Sequence, residues 1–159
     1  MLPAIVLLSG CAVKRVDNGV YHASKGYRVE IPGGQWTQVD ESPADLELRH
    51  RSSPAGMAAS ATCEASTTRR PTRALARQLF IGIRERRVIE SGEVEIAGRS
   101  AVHTVVDGQL EGSEDRVRIE TLVLKDDRCV YDFMYVAPPA TFGELRADFA
   151  RFVESFRTD

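Results

Sequence analysis

Residues 116–137, Arg116-Val-Arg-Ile-Glu-Thr-Leu-Val-Leu-Lys-Asp-Asp-Arg-Cys-Val-Tyr-Asp-Phe-Met-Tyr-Val-Ala137, followed by Thr141-Phe-Gly-Glu-Leu-Arg-Ala-Asp-Phe-Ala-Arg-Phe-Val-Glu-Ser-Phe156, decide the fold. From Arg116 to Leu124 the side chains alternate, with Val117, Ile119, Thr121 and Val123 opposing Arg118, Glu120, Leu122 and Leu124, the period of a strand. Asp126-Asp127-Arg128 supplies the turn residues of a hairpin connection. Cys129 to Val136 then returns, with Tyr131, Phe133 and Tyr135 on the face of the cysteine. The last segment changes period: Leu145, Phe149, Phe152, Val153 and Phe156 form one apolar stripe down a helix that ends near Arg157. Thr141 and Glu144 have the spacing of a capping box at its start. A helix with one apolar face, directly after a hairpin, packs on the sheet that the hairpin belongs to.

Upstream, Gly26 to Pro32 is a half-buried strand in which Tyr27, Val29 and Ile31 point inward, and Pro32-Gly33-Gly34 ends it. Asp45 to His50 alternates with Leu46 and Leu48 inward, Ser53 to Gly56 is a turn, and the next run places Met57, Ala59, Ala61 and Cys63 on one face. The spacing of Leu75, Ala76, Leu79, Phe80 and Ile83 predicts a helix over 72–88, although Gly82 costs it about 1 kcal/mol relative to Ala. Strands are expected at Glu93 to Ile96 and Ser100 to Val106, joined by Ala97-Gly98. Asp107-Gly108 and Gly112-Ser113 should bracket a wider turn. Runs of strands interrupted by one helix and closed by another indicate an α+β fold, a largely antiparallel sheet flanked by helices, in a single domain over 25–159.

Composition agrees. The hydrophobic share, 43%, is enough to build a core, which excludes a disordered or collagen-like chain. Twenty-one basic against 23 acidic side chains leave a net charge of −2, so nothing draws the whole molecule to nucleic acid, and no nucleic-acid partner is expected.

The first eleven residues carry no charge and end Leu8-Ser9-Gly10-Cys11, which resembles the bacterial lipobox, where the cysteine receives diacylglycerol and becomes the new N-terminus. The apolar run has the size of a signal-peptide hydrophobic region and is too short to span a bilayer. The basic residues that usually open such a leader are missing, as expected of a start truncated upstream. On this reading 1–10 is a lipoprotein signal peptide, Cys11 is acylated and holds the protein to membrane lipid, 11–24 is a tether, and the domain faces the periplasm or exterior of a bacterial envelope. The bland alternative is a first strand with a chance cysteine. Lipidation of Cys11 leaves Cys63 and Cys129, an even pair outside any C-x-x-C or zinc spacing. A Cys63 to Cys129 disulfide is the economical reading, and two unpaired core thiols are the alternative.

Gly26-Tyr-Arg-Val-Glu-Ile-Pro32 leading to Trp36, the helix around Leu75 to Ile83, Val94 to Gly98, Tyr135-Val-Ala-Pro138 and a closing helix ending Ser155-Phe156 occur in the order of the PsbP-like fold, which the chain resembles over nearly all of 25–157. It is also similar to the DcrB-like extracytoplasmic lipoproteins. The usual Pro-x-Gly-Trp corner is stretched here to Pro32-Gly-Gly-Gln-Trp36. The resemblance implies an α-β-α sandwich and an accessory or binding role. It brings no catalytic residues.

The residues themselves point the same way. The sequence holds no G-x-S-x-G elbow, no H-E-x-x-H and no G-x-x-x-x-G-K-[ST] loop, so no catalytic residue, metal ligand or cofactor is assigned. His22, His50 and His103 stand far apart. An envelope hydrolase built around His103 is the competing reading, which requires an Asp or Glu at hydrogen-bond distance in a pocket. A structural subunit of an envelope complex is a third. Glu114-Asp115 and Asp126-Asp127 read as solvated turns, short of a calcium loop's ligand count. The local anomaly is basic: Arg69, Arg70, Arg73, Arg77, Arg84, Arg86 and Arg87 crowd the first helix and its approach. On a helix, Arg73, Arg77 and Arg84 share one flank of the apolar stripe and offer a surface to lipid headgroups, an anionic polymer or an acidic envelope protein. The competing reading is a helix face merely solvated by arginine.

Overall fold

A computed structural model describes residues 15–159. Its framework is an antiparallel seven-stranded sheet in the order β4-β5-β6-β10-β9-β8-β7. The members are β4 (Trp36–Gln38), β5 (Leu46–His50), β6 (Gly56–Thr62), β7 (Ile83–Ile96), β8 (Arg99–Leu110), β9 (Arg116–Lys125) and β10 (Val130–Ala137). The expected 116–137 hairpin is β9–β10, with Phe133 opposite Leu122 and Tyr135 opposite Glu120. Cys129 and Val130 follow a turn in which the Asp126 carboxylate accepts the amides of Arg128 and Cys129, both at 2.8 Å, and the Tyr131 hydroxyl at 2.9 Å.

Alternation along these strands divides the core between two faces. Leu122, Leu124, Tyr131, Phe133 and Tyr135 point to one side, where α3 (Phe142–Glu154) lays Phe149, Phe152 and Val153 on them. A smaller sheet, β1-β2-β3-β11, joins that layer through Tyr21, Tyr27 and Val29. It is built from β1 (Val16–Asp17), β2 (Val20–Ala23), β3 (Tyr27–Glu30) and β11 (Arg157–Thr158). The opposite face takes α2 (Thr72–Gln78), preceded by the single turn α1 (Ala65–Thr68). There Leu75 and Ala76 pack on Val123 and Val130, while Phe80 packs with Val106, Val117 and Ile119. The result is the α+β class expected from the sequence and the layered sandwich implied by the resemblance, with a second, four-stranded sheet beside the large one.

Asp45 fastens the small sheet to the large one. Its carboxylate accepts the Tyr27 hydroxyl at 3.0 Å, the Ala61 amide at 2.8 Å and Lys25 Nζ at 2.6 Å, and its carbonyl accepts the Tyr21 hydroxyl at 2.8 Å. At the stretched first corner Trp36 is buried and donates to Asp148 on α3 at 2.9 Å.

The structure corrects four local expectations. Residues 16–23, expected to lie in a tether, belong to the fold, because β2 pairs with β3 and buries Tyr21 completely. The helix does not reach Val88: it ends at Gln78, and Gly82, at φ +88°, turns the chain into β7. Phe80 and Ile83 keep their inward places from a turn and a strand, which is why helical spacing continues past the helix. Asp107 and Gly108 lie inside β8, with the turn coming after Leu110. Thr141 does precede α3, but its side chain makes no cap bond, and its buried Oγ1 has no partner.

Candidate functional site

Neither helix covers β7, the edge strand, so the β7–β8 hairpin overhangs the sandwich and leaves a groove under each face. Ala97 and Gly98, at φ 49° and 75°, make its tight turn. From Ile96 back to Glu90 the pairing with β8 is regular, with Val94 opposite Ala101. Two register shifts follow. Between Val88, opposite Val106, and Glu90, opposite Val105, β7 holds the extra residue Ile89. Between Arg84, opposite Gln109, and Arg87, opposite Asp107, it holds a second, and Glu85 there adopts φ 50°. Each extra residue moves the following side chain to the other face. Val88 and Arg86 thus serve the α2 groove, while Glu90 and Arg87 serve the α3 side.

The α3-side groove encloses about 230 Å³ between Val94, Ile96, Leu122, Phe149 and Val153, and a charged cluster closes one end. His103 Nε2 lies 2.7 Å from Glu120 Oε1. Arg146, from α3, donates to both oxygens of Glu120 at 2.9 and 3.1 Å and to Glu90 at 2.8 and 3.2 Å. Beyond it Arg118 grips Asp107 at 2.6 and 2.9 Å, and both guanidiniums stand over the Phe142 ring. Burial pushes the Glu120 carboxyl up, but its bonds from His103 and Arg146 outweigh this and hold it below the usual range. The Arg146 bonds lower Glu90, and the Arg118 bonds lower Asp107. His103 therefore has the carboxylate partner that the hydrolase reading requires. Among the described residues, however, the lining includes no Ser, Thr, Cys or Lys to act as nucleophile, and Glu120 is already engaged by a guanidinium.

The α2-side groove is larger, about 370 Å³, and differs in character. Phe80, Val102, Val106 and Ala76 form its floor, Val88 stands at its mouth 60% exposed, and Thr104 and Ser91 add hydroxyls. Around it converge Arg73 and Arg77 from α2 and Arg86 from β7. Arg73 reaches Glu93 at 3.2 Å, and Arg86 donates to the Phe80 carbonyl at 3.3 Å. Arg77 meets no carboxylate among the described residues.

Of the residues singled out in the sequence, Arg73 and Arg77 thus share one groove. Arg84 leaves the set: it sits on β7, faces the α3 side and donates to the Ser113 carbonyl at 3.4 Å. Arg86 takes its place. Cys63 and Cys129 are bonded, with Cα atoms 4.0 Å apart, at neighbouring ends of β6 and β10. Cys11 lies outside the described residues. His22 is exposed on β2, and His50 meets the edge of Trp36 with ring centroids 5.0 Å apart. Asp126 serves its own turn. Among the described residues no group of His, Cys, Asp and Glu is placed to hold a metal, and no helix is long and apolar enough to cross a membrane. Sequence reasoning missed Glu90, Glu120 and Arg146, whose partnership spans three elements and has no signature in the spacing.

No family model matches the sequence, and neither does any curated protein. Solved structures do. The chain is similar to the cyanobacterial PsbP protein CyanoP of Synechocystis sp. PCC 6803, with a TM-score of 0.61 and 12% identity, covering 96% of this chain and 99% of that one. It is similar to LpqN of Mycobacterium tuberculosis, described as involved in cell envelope biogenesis, with a TM-score of 0.60 and 14% identity over 90% and 94% of the two chains. A Bacteroides thetaiotaomicron protein gives a TM-score of 0.64 at 9% identity over 91% of this chain, which spans about half, 49%, of that longer protein. The fold is PsbP-like, and at these identities the likeness is one of fold alone.

Proposed function

We propose that this protein is an accessory binding module of the bacterial envelope, anchored to membrane lipid through an acylated Cys11, which presents a basic groove to an anionic partner and catalyses no reaction. One observation carries the reading: Arg73, Arg77 and Arg86, drawn from two elements, converge on an open cavity of about 370 Å³. Guanidiniums merely solvating a helix would not need a strand to add a third member. The likeness to LpqN supports an envelope setting. Anchoring would also raise the local concentration of envelope partners.

Two experiments test this. Expressed with a complete leader, the protein should partition into detergent with a mass matching an acylated N-terminal cysteine, and Cys11→Ser should abolish both; an unmodified mature Met1 ends the anchoring claim. Arg77→Glu combined with Arg86→Glu should weaken binding to dextran sulfate at least tenfold at low salt, with less difference at high salt. Binding indifferent to both changes would remove the groove from the proposal. A turnover lost in folded His103→Ala would establish the hydrolase reading instead, on the strength of the His103–Glu120 contact.

A further inference from the structure

We infer that the occupant of the α2-side groove is a single anionic amphiphile, with its phosphate or carboxylate head among Arg73, Arg77 and Arg86 and its alkyl chain along Val88, Val102, Val106 and Phe80; this rests on the basic-groove reading above. Two properties of the groove have to be matched at once. The first is charge. Of the lining guanidiniums, Arg73 has a carboxylate partner in Glu93, Arg86 spends one N–H on a carbonyl, and Arg77 has no carboxylate among the described residues. The fork of a guanidinium suits the planar or tetrahedral oxygens of such a head, and three forks facing one cavity suit a single head better than a distributed charge.

The second is the floor. Val106 and Phe80 are 2% and 5% exposed, but Val88 directly opposite Val106 is 60% exposed, so apolar surface runs from the core out to the mouth beside the arginines. A polyanion would satisfy the guanidiniums and leave Val88 in water. A neutral chain would cover the valines and gain nothing from the guanidiniums. An amphiphile with an anionic head matches both, and the volume lies within the range of small-molecule sites, roughly 300–1,000 Å³. The hydroxyls of Thr104 and Ser91 can bond its polar neck.

The test is calorimetry on the folded domain with decyl phosphate below its micelle concentration, set against inorganic phosphate, decyl maltoside and dextran sulfate. Decyl phosphate should fill one site at least tenfold more tightly than inorganic phosphate or decyl maltoside. Arg77→Glu and Val88→Asp, both exposed changes, should each weaken it at least tenfold, while Arg151→Glu on α3 leaves it unchanged. Equal affinity for decyl phosphate and inorganic phosphate, or for decyl phosphate and decyl maltoside, overturns the inference, as does equal loss in Arg151→Glu. Dextran sulfate bound through Arg77 without decyl phosphate binding overturns the amphiphile and keeps the basic groove. If neither binds, both fall.

Discussion

Gly108 shows how one missing side chain permits the β7 bulge between Arg84 and Arg87. A Cβ built there would stand 2.3 Å from Ile83 Cγ2 and 3.1 Å from the Arg84 carbonyl oxygen. The Ile83 branch is stiff and the carbonyl belongs to the strand, so neither yields cheaply. Gly108→Ala should cost about 1–3 kcal/mol by overpacking. Ile83→Ala removes the offending methyl, so in urea melts the double variant should lose less than the sum of the two singles. Additive losses would mean the contact does not form. Asp132, half-buried on β10, sets a different constraint: burial and then the Asp45 carboxylate push its pKa up to about 6, and Lys25 offsets only part of this. Between its ordinary value of 3.8 and about 6 the native state retains a proton that the unfolded chain has released, so folding stability falls as pH rises through that window. Asp132→Asn should therefore be more stable than the parent above pH 7, by up to about 3 kcal/mol, with the difference vanishing near pH 4. A difference independent of pH would refute the assignment.

At the scale of elements, Arg146 is the clasp between α3 and the overhanging hairpin, since it binds Glu120 on β9 and Glu90 on β7 at once. Both carboxyls are held below their ordinary values, so the stability they contribute is present above the unfolded carboxylate range and is lost as pH falls through their folded values. Arg146→Met should lower stability at pH 7 by about 1–3 kcal/mol, the cost of leaving the buried Glu120 acceptor short of a donor. The variant should also lose less than the parent on acidification from pH 5 to pH 3, read by the same melts. The sequence shows these elements unevenly, for physical reasons. The β9–β10 hairpin and α3 follow a clean period and are legible, as are Arg73 and Arg77, which lie on a true helix. The first half of β7 is hidden because its two bulges break the period of two, while Phe80 and Ile83 prolong a helical spacing past the left-handed Gly82; its regular end, from Glu93 to Ile96, is legible. The same bulges decide that Arg86 joins the groove and Arg84 does not. The pairing of His103 with Glu120 depends on the register between β8 and β9, which no local pattern specifies.

Across the whole molecule, the bond between Cys63 and Cys129 spans 66 positions and encloses α1, α2, β7, β8 and β9, and so contains the whole lining of the α2-side groove and half that of the α3-side groove. In the chain-entropy model, closing such a loop contributes about 4 kcal/mol. Cys63→Ser with Cys129→Ser should lower the urea midpoint accordingly, and the parent in reductant should match the double variant; a midpoint insensitive to reductant would show that the bond does not form in solution. The architecture also gives the molecule an open rim. β7 runs 14 residues along the edge of the large sheet, long enough to template another strand, and edges of that kind drive proteins into fibrils. Its two bulges interrupt the straight run of amides and carbonyls that an incoming strand would need, and Arg84, Glu85, Arg86, Arg87, Glu90, Glu93 and Glu95 place charge along most of its length. The irregularities that aim side chains into the grooves thus also act as guards against runaway self-assembly, and straightening the rim would be expected to turn the domain into an aggregation seed.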